Sequence, residues 1–309
     1  MILEELKSFI HDNDLQDSKI AIACSGGVDS LALLDMVLKS HSAELILCLH
    51  LDHGWHASSK EASALLETYC KANGINFYSK VYAPGEMQKT ESEARKLRYE
   101  FFEEECKKHN VSSLFLAHNL NDNVETVLFR LFRGTGSSGL RGIAHTRDLG
   151  SVKIYRPFLQ LRRDEIEVYA KTQSLEYFED SSNADVTYAR NRIRHNVLPE
   201  ALKINPKALK NIDQLTKLIY EEQSFLSKEL EKVLEKLGDL PWSLEEFRGL
   251  EPVMQRKALE ASFCTNIEFV NDFMAAVAEG GFHRVNFKKE KFFTIKQKMI
   301  HLEYSSVIS

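Results

Sequence analysis

The stretch Ser25-Gly26-Gly27-Val28-Asp29-Ser30 puts two hydroxyls, one carboxylate and two adjacent glycines into six residues. Glycines allow positive φ and leave no Cβ between backbone and ligand. Successive N–H groups at a helix N-terminus can then close around an anion. The natural anion is a phosphate, with Ser25 and Ser30 donating from the two ends of the turn. Asp29, in the first helical turn, is suited to holding a magnesium ion or accepting a proton. No Gly-Lys-Ser/Thr follows, so the loop is not of the Walker A type. For the glycine pair alone, a tight strand-to-helix connection capped by Ser25 is the alternative.

Three more segments carry chemistry. In "AHNLNDNVET", His118 precedes a helix on which Asp122 and Glu125 are three apart and share a face. An imidazole and two carboxylates beside a phosphate site suit magnesium binding, amine recognition or proton transfer. Helix capping by Asn121 or Asp122, with Glu125 completing a capping box, is compatible with that use. "EARKLRYEFF" sets Arg95 and Arg98 one turn apart, able to grip a phosphate or carboxylate together. "YARNRIRH" is the densest basic segment, with Arg190, Asn191, Arg192 and Arg194 between Tyr188 and His195. Arginines beside an aromatic suit phosphate contacts and stacking on unpaired bases. Pairing with Asp164, Glu165, Asp180 or Asp185 is the structural alternative. Arg130, Arg133 and Arg141 flank the Gly/Ser-rich loop "RGTGSSGLRG" and could close over a nucleotide or an RNA backbone.

Elements must bring these segments together. Lys19 to Cys24 is a short apolar run, the pattern of a strand buried on both faces, and a mostly apolar helix follows from Val28. Further strands are expected at Glu44–Leu51, in "INFYSKVY" and in "SLFLAH". The helices expected with them are Ser58–Asn73, "TESEARKLRYEFFEEECKKHN" and "LNDNVETVLFRLFRG". Strands alternating with helices predict an α/β fold, a doubly wound parallel sheet. In such sheets ligands bind at the carboxyl ends of the strands. That rule gathers Ser25–Ser30, Asp52–His56 and His118–Glu125. A strand, a break at Pro157 and a helix are expected in "IYRPFLQLRRDEIEVYAKTQ", then a polar loop leading to a short basic helix that Pro199 ends. A long helix from Pro206 to Leu237 opens a second region. It is followed by helices at Pro252–Phe263 and Ile267–Glu279, and by a small antiparallel sheet in "HRVNFKKEKFFTIKQKMIHLEY". The lysines of that sheet, Lys288, Lys289, Lys291, Lys296 and Lys298, are either an RNA-facing patch or a solvated strand face. The organisation expected is a nucleotide-binding catalytic domain over 1–200, a helical linker over 201–240 and a small α+β domain over 241–309.

The chain has 309 residues and a net charge of −5, so a nucleic-acid partner would be met by a local basic face and not by the global field. The five cysteines form no C-x-x-C pair, which suits buried reduced thiols in a cytoplasmic protein. The N-terminal "MILEELKSFIHDND" reads as an amphipathic helix and lacks the pattern of a signal peptide. No apolar stretch is long enough to span a membrane. The oligomeric state is left open, a homodimer included.

"SGGVDS" resembles the phosphate loop of the PP-loop ATP pyrophosphatases. With "EARKLRY", "AHNLNDNVET", "FRGTGSSGLRGI", "RPFLQLRRDEIEVYA" and "EDSSNADVTYARNRIRHNVLP", the order and spacing from Ser18 to Pro199 resemble one bacterial family of that group, the tRNA(Ile)-lysidine synthetases. Members often have a second His and a second Asp where this chain has Asn119 and Asn121. The resemblance implies a carbon–nitrogen ligase that joins L-lysine to carbon 2 of the wobble cytidine in a tRNA(Ile) with a CAU anticodon, through an adenylated cytidine, releasing AMP and pyrophosphate. It implies ATP and Mg2+ at Ser25–Ser30, with Asp29 by the metal, and lysine at Asp122 and Glu125. His118, Arg95 and Arg98 would orient nucleotide or intermediate. tRNA contacts would fall on Arg133, Arg141, Arg190, Asn191, Arg192 and Arg194, with more distant ones from the C-terminal domain. Two enzyme classes compete, a sulfur-transfer tRNA enzyme, disfavoured by the missing C-x-x-C, and a small-molecule synthetase, which would have no use for the arginine-rich segments. A non-catalytic RNA-binding protein is the third alternative, against which the intact Asp29 and Ser30 speak.

Overall fold

A computed structural model describes residues 2–52, 59–82, 91–178, 187, 189–263, 267–279, 283–288 and 291–304. They form two compact units, one of 1–132 with 142–214 and one of 133–141 with 215–309.

The first unit opens with α1 (Ile2–Asp12) and then alternates: β1 (Ile20–Ala23), α2 (Val28–Leu38), β2 (Ile46–Asp52), α3 (Ser59–Asn73), β3 (Asn76–Val81), α4 (Glu91–Lys108), β4 (Ser113–Leu116) and α5 (Leu120–Arg133). A hairpin of β5 (Thr146–Leu149) and β6 (Val152–Tyr155) precedes α6 (Arg163–Thr172). The sheet order is β3-β2-β1-β4-β6-β5, parallel throughout except for β5 at one edge. Alternate residues of each strand serve opposite faces. Ile20, Ile22, Ile46, Cys48 and Phe115 pack beneath α1, α2, α3 and α6. Ala21, Leu47, Leu49, Leu114 and Leu116 meet Phe101, Phe102 and Cys106 of α4. Both faces are covered, as the doubly wound reading requires. The edge strand β5 went unread in the sequence because its Thr-Arg-Asp-Leu is nearly all exposed and has no apolar alternation.

Chain direction across the sheet reverses between β1 and β4, which makes the gap between them the ligand crevice. Beside it lies a small helical cluster. After α7 (Ala189–Arg192) the backbone widens into a π-turn (Ile193–Val197) and continues as α8 (Leu198–Ile204). Ile193, Leu198 and Leu209 bury themselves against Leu120 and Val124 of α5. Pro199 therefore does not end a helix. It lies in the first turn of α8, where its missing N–H is no loss. Cys24, Cys48, Cys70 and Cys106 are free and buried, the first three are adjacent in the core, and the Cys48 and Cys70 thiols are held well above the usual range by one another and by burial. Cys264 lies outside the described residues.

The long α9 (Ala208–Leu237) runs from the first unit into the second, the division falling between Gln214 and Leu215. The second unit continues with β7 (Trp242–Ser243), α10 (Leu244–Arg248), α11 (Pro252–Phe263), α12 (Ile267–Glu279), β8 (His283–Lys288), β9 (Lys291–Lys296) and β10 (Met299–Tyr304). Its antiparallel sheet, β7-β10-β9-β8, shares a core of Trp242, Phe247, Phe269, Phe273, Ile295 and Ile300 with these helices. Among the described residues no helix is long and apolar enough to cross a membrane.

Candidate active site

The loop after β1 is built by its own hydroxyls. Ser30 Oγ donates to the Gly27 carbonyl at 3.0 Å and accepts from the Ser25 N–H at 3.2 Å, and the two serine hydroxyls are 3.2 Å apart. Gly26 has φ of +88°, and a Cβ there would sit 2.9 Å from Cβ of Ala62 on α3. Both observations require glycine. Gly27 has an ordinary φ of −76° and caps α2 without a side chain, so the first N–H groups of that helix have no capping oxygen of their own. Val28 is buried at the helix start.

Asp29 faces the crevice and is joined to the next strand by Asn119, whose Nδ2 donates to Asp29 Oδ1 at 3.2 Å. Burial pushes the Asp29 carboxyl up to about 6, opposed mainly by Arg163 and reinforced by Asp122. Asn119, itself buried, is also the cap of α5. Its Oδ1 accepts from the Asp122 N–H at 3.0 Å, and its own N–H donates to Asp122 Oδ2 at 3.1 Å. This reciprocal box corrects the expectation that Asn121 or Asp122 caps the helix with Glu125 as the partner. Asn121 instead accepts from the Arg163 N–H at the start of α6, 3.1 Å away.

Glu125 is otherwise engaged. Fully buried, it takes a two-point ion pair from Arg194, Nε to Oε1 at 2.6 Å and Nη2 to Oε2 at 2.9 Å. The same Nη2 reaches Asp122 Oδ1 at 3.1 Å. Burial raises the Glu125 carboxyl even against this guanidinium. Arg190, one turn earlier, donates to Thr126 Oγ1 at 2.6 Å. Asp122 and Glu125 thus meet the basic segment, and Arg194 pairs with neither Asp164 nor Glu165. Asp180, Asp185 and Tyr188 lie outside the described residues.

His118, directly after β4, is held neutral. Burial depresses it to about 4, with Asp122 opposing and Arg156, Arg190 and Arg95 adding to the depression, and its buried Nδ1 has no hydrogen-bond partner. Arg95 leans on Tyr99, and Arg98 is exposed one turn on. Arg192 is exposed and Asn191 half-buried. Arg133 and Arg141 belong to the second unit and are exposed, and Arg141 Nε donates to the Ser138 carbonyl at 3.0 Å within a short 3₁₀ helix (Ser137–Arg141). Of the strand lysines, Lys296 and Lys298 are exposed, and Lys289 lies outside the described residues. Of the expected Asp52–His56 stretch, Asp52 is buried at the end of β2 and residues 53–56 are outside the described residues.

Arg163 and Arg156 carry no sequence expectation, and Asn119 enters the sequence reading only as a departure from the usual His, with no role. Their signal was position alone, immediately after a strand or at a helix start, on the carboxyl side of the sheet.

A Ser-Gly-Gly-x-Asp-Ser turn at the switch point of a parallel sheet defines a PP-loop nucleotide-binding protein, and the PP-loop domain family matches residues 2–201. The fold is shared with the U34-tRNA thiolase NcsA from Methanococcus maripaludis, at a TM-score of 0.61 and 15% identity over 71% of this chain and 78% of that one. The tRNA(Ile)-lysidine synthase of a Thermotoga species is 32% identical over 92% of this chain and 74% of its own length. That of Bacillus subtilis is 35% identical over 75% and 52% respectively. The chain belongs to the tRNA(Ile)-lysidine synthase family. It spans about half the length of most of the curated relatives that it matches.

Proposed function

We propose that this chain joins L-lysine to carbon 2 of the wobble cytidine of a CAU-anticodon tRNA(Ile), using ATP. The observation that carries the reading is the juxtaposition, across one crevice, of a phosphate-type loop with the acidic pair Asp122 and Glu125. The chemistry needs both. Carbon 2 of cytosine has no leaving group. Attack of its O2 on the α-phosphorus of ATP expels pyrophosphate and supplies one. The ε-amine of lysine then attacks carbon 2, AMP departs, and the amine's proton passes to a base.

In this reading the free N–H groups of α2 and the Ser25 and Ser30 hydroxyls hold the phosphates, where positioning and electrostatics dominate. Mg2+ fits Asp29: the metal is commonly held by one or two carboxylates plus phosphates and waters. A carboxyl that burial has raised to about 6 also gains from a cation beside it. Bound there, the metal would offset the charge on the phosphates. Among the described residues no cluster of three ligating groups exists, and phosphates and waters would supply the remaining ligands. Asp122, half of whose carboxylate faces Asn119 and half Arg194, receives a lysine amino group together with Glu125. His118, neutral at pH 7, orients nucleotide or intermediate through a buried Nδ1 that has no hydrogen-bond partner.

Arg190, Asn191, Arg192 and Arg194 meet the anticodon arm, Arg133 and Arg141 add phosphate contacts, and residues 241–309 reach more distant parts of the tRNA. Enzymes acting on a base take it out of its stack, and stacking partners are supplied by this arginine-rich segment. The reading implies a cytoplasmic enzyme, in which reduced buried thiols are expected, and leaves room for a homodimer. Pyrophosphate release from ATP tests it. Release that requires an unmodified CAU-anticodon tRNA supports the reading. Release with a small-molecule amide donor and no RNA contradicts it.

A further inference from the structure

Beyond His118, on the side away from the PP-loop, three guanidinium groups gather on one aromatic ring. Arg147 of β5 lies over Tyr99 with its guanidinium carbon 4.5 Å from the ring centroid, and Arg95 lies 5.2 Å from the same centroid. Arg95 Nη2 also donates to the Tyr99 hydroxyl at 3.4 Å. Arg156, directly after β6, is 3% exposed, donates from Nη1 to the Ala144 carbonyl at 2.7 Å and interacts with the same tyrosine hydroxyl. Its Nε is buried without a hydrogen-bond partner.

The topology puts this cluster in the crevice. Residue Tyr155 is level with Phe115 across β4 and β6 and with Thr146 across β6 and β5. Arg156 and Arg147 therefore sit at the carboxyl edge of the sheet, in line with the loop after β1 and with His118 after β4. The fields of Arg95 and Arg156 both reach the His118 imidazole.

Such an arrangement is costly as plain packing. Burial and its two neighbouring guanidiniums all disfavour the charge on Arg156. Among the described residues none of Arg95, Arg147 and Arg156 forms an ion pair. A buried cation without an anion, next to two more cations, is the situation that folded proteins avoid. An arriving oxyanion would relieve it, meeting forked donors suited to a carboxylate.

We propose that Arg95, Arg147 and Arg156, gathered on Tyr99, form an oxyanion subsite that takes the α-carboxylate of the amino-acid substrate. The inference rests on the reading of the acidic pair as an amine site. The crevice then alternates in charge from the phosphate loop to Asp29, Asp122 and Glu125, then across neutral His118 to the arginines. A zwitterion with a second, side-chain amine matches that order. The subsite selects amino acids over simple diamines of the same length.

The test compares L-lysine with 1,5-diaminopentane, which keeps both amines and lacks the carboxylate, in tRNA-dependent incorporation. Arg147 is exposed, so its replacement does not disturb the core. Arg147→Ala is expected to raise the KM for lysine about tenfold, the scale of one lost charge-assisted contact, while leaving the KM for the diamine unchanged. Arg147→Lys is expected to recover part of the preference. Equal effects on both amines, or none on either, overturn the subsite. A raised KM for tRNA with reduced salt dependence and unaltered lysine kinetics also overturns it, by assigning the cluster to an RNA phosphate. If the wild-type protein incorporates no lysine, the functional reading fails and the subsite with it. If it does, and preference for lysine survives Arg147→Ala, the subsite alone fails.

Discussion

Between Ser25 and Ser30 the hydroxyl contacts close within five residues of sequence, whereas Glu125 and Asp122 are held by a guanidinium 69 and 72 residues away, and Asp29 by an amide 90 residues away. The loop presents backbone N–H groups and neutral hydroxyls, which need no counter-charge. The acidic side presents buried carboxylates, which do. One region is therefore organised by local turn chemistry and the other by tertiary packing of α5 against the π-turn segment. The difference teaches where each is vulnerable: the loop to a change of backbone, the acidic side to a change of charge.

The largest effect is expected from the residue that joins the two regions. Asp29→Asn should lower tRNA-dependent pyrophosphate release by about 10²–10³, with an unchanged thermal midpoint, as measured by steady-state kinetics beside calorimetry. Next come the ion-pair partners, which should not be equivalent. Glu125→Gln leaves the Arg194 charge with Asp122 alone and should cost about 3 kcal/mol of stability in urea titration. Arg194→Ala leaves a carboxyl whose neutral form burial already favours, so its loss should be distinctly smaller. Equal losses would contradict this asymmetry between the two partners. Gly26→Ala introduces a Cβ at positive φ and against Ala62, and should cost about 1–2 kcal/mol with a matching rise in the KM for ATP.

A pH profile sharpens the comparison further. The Asp29 carboxyl must be ionised to meet a cation, so kcat/KM for ATP should fall below pH about 6. The Asn119 amide favours the ionised form, and Asn119→Ala should move that acid limb to higher pH. An unmoved limb would mean that another group controls it. The smallest effect belongs to Arg192→Ala, at an exposed position: stability unchanged, and the slope of tRNA affinity against salt reduced by about one.

The contrast also explains what could be read from the chain. Ser25 to Ser30 was legible because its chemistry and its geometry lie in the same six residues, and the apolar runs on either side fixed strand and helix. The presence of Asp122, Glu125 and Arg194 was legible by type, but their union was not. It depends on Ile193 and Leu198 packing on Leu120 and Val124, a contact that no local periodicity announces. The same holds for Asn119, read as a departure from the usual His and found capping α5 while it holds Asp29. Pro199 misled because a proline that stops one helix and a proline that begins the next look alike in sequence. Only the continuation of the chain through a π-turn separates them.

The central claim is that the crevice uses ATP to join a lysine amine to RNA. Its most direct test incubates the protein with ATP, Mg2+, labelled lysine and unmodified CAU-anticodon tRNA(Ile), beside a methionine tRNA with the same anticodon. Label is expected in the isoleucine tRNA alone, abolished by Asp29→Asn. Label in neither RNA, from folded protein that binds ATP, would contradict it.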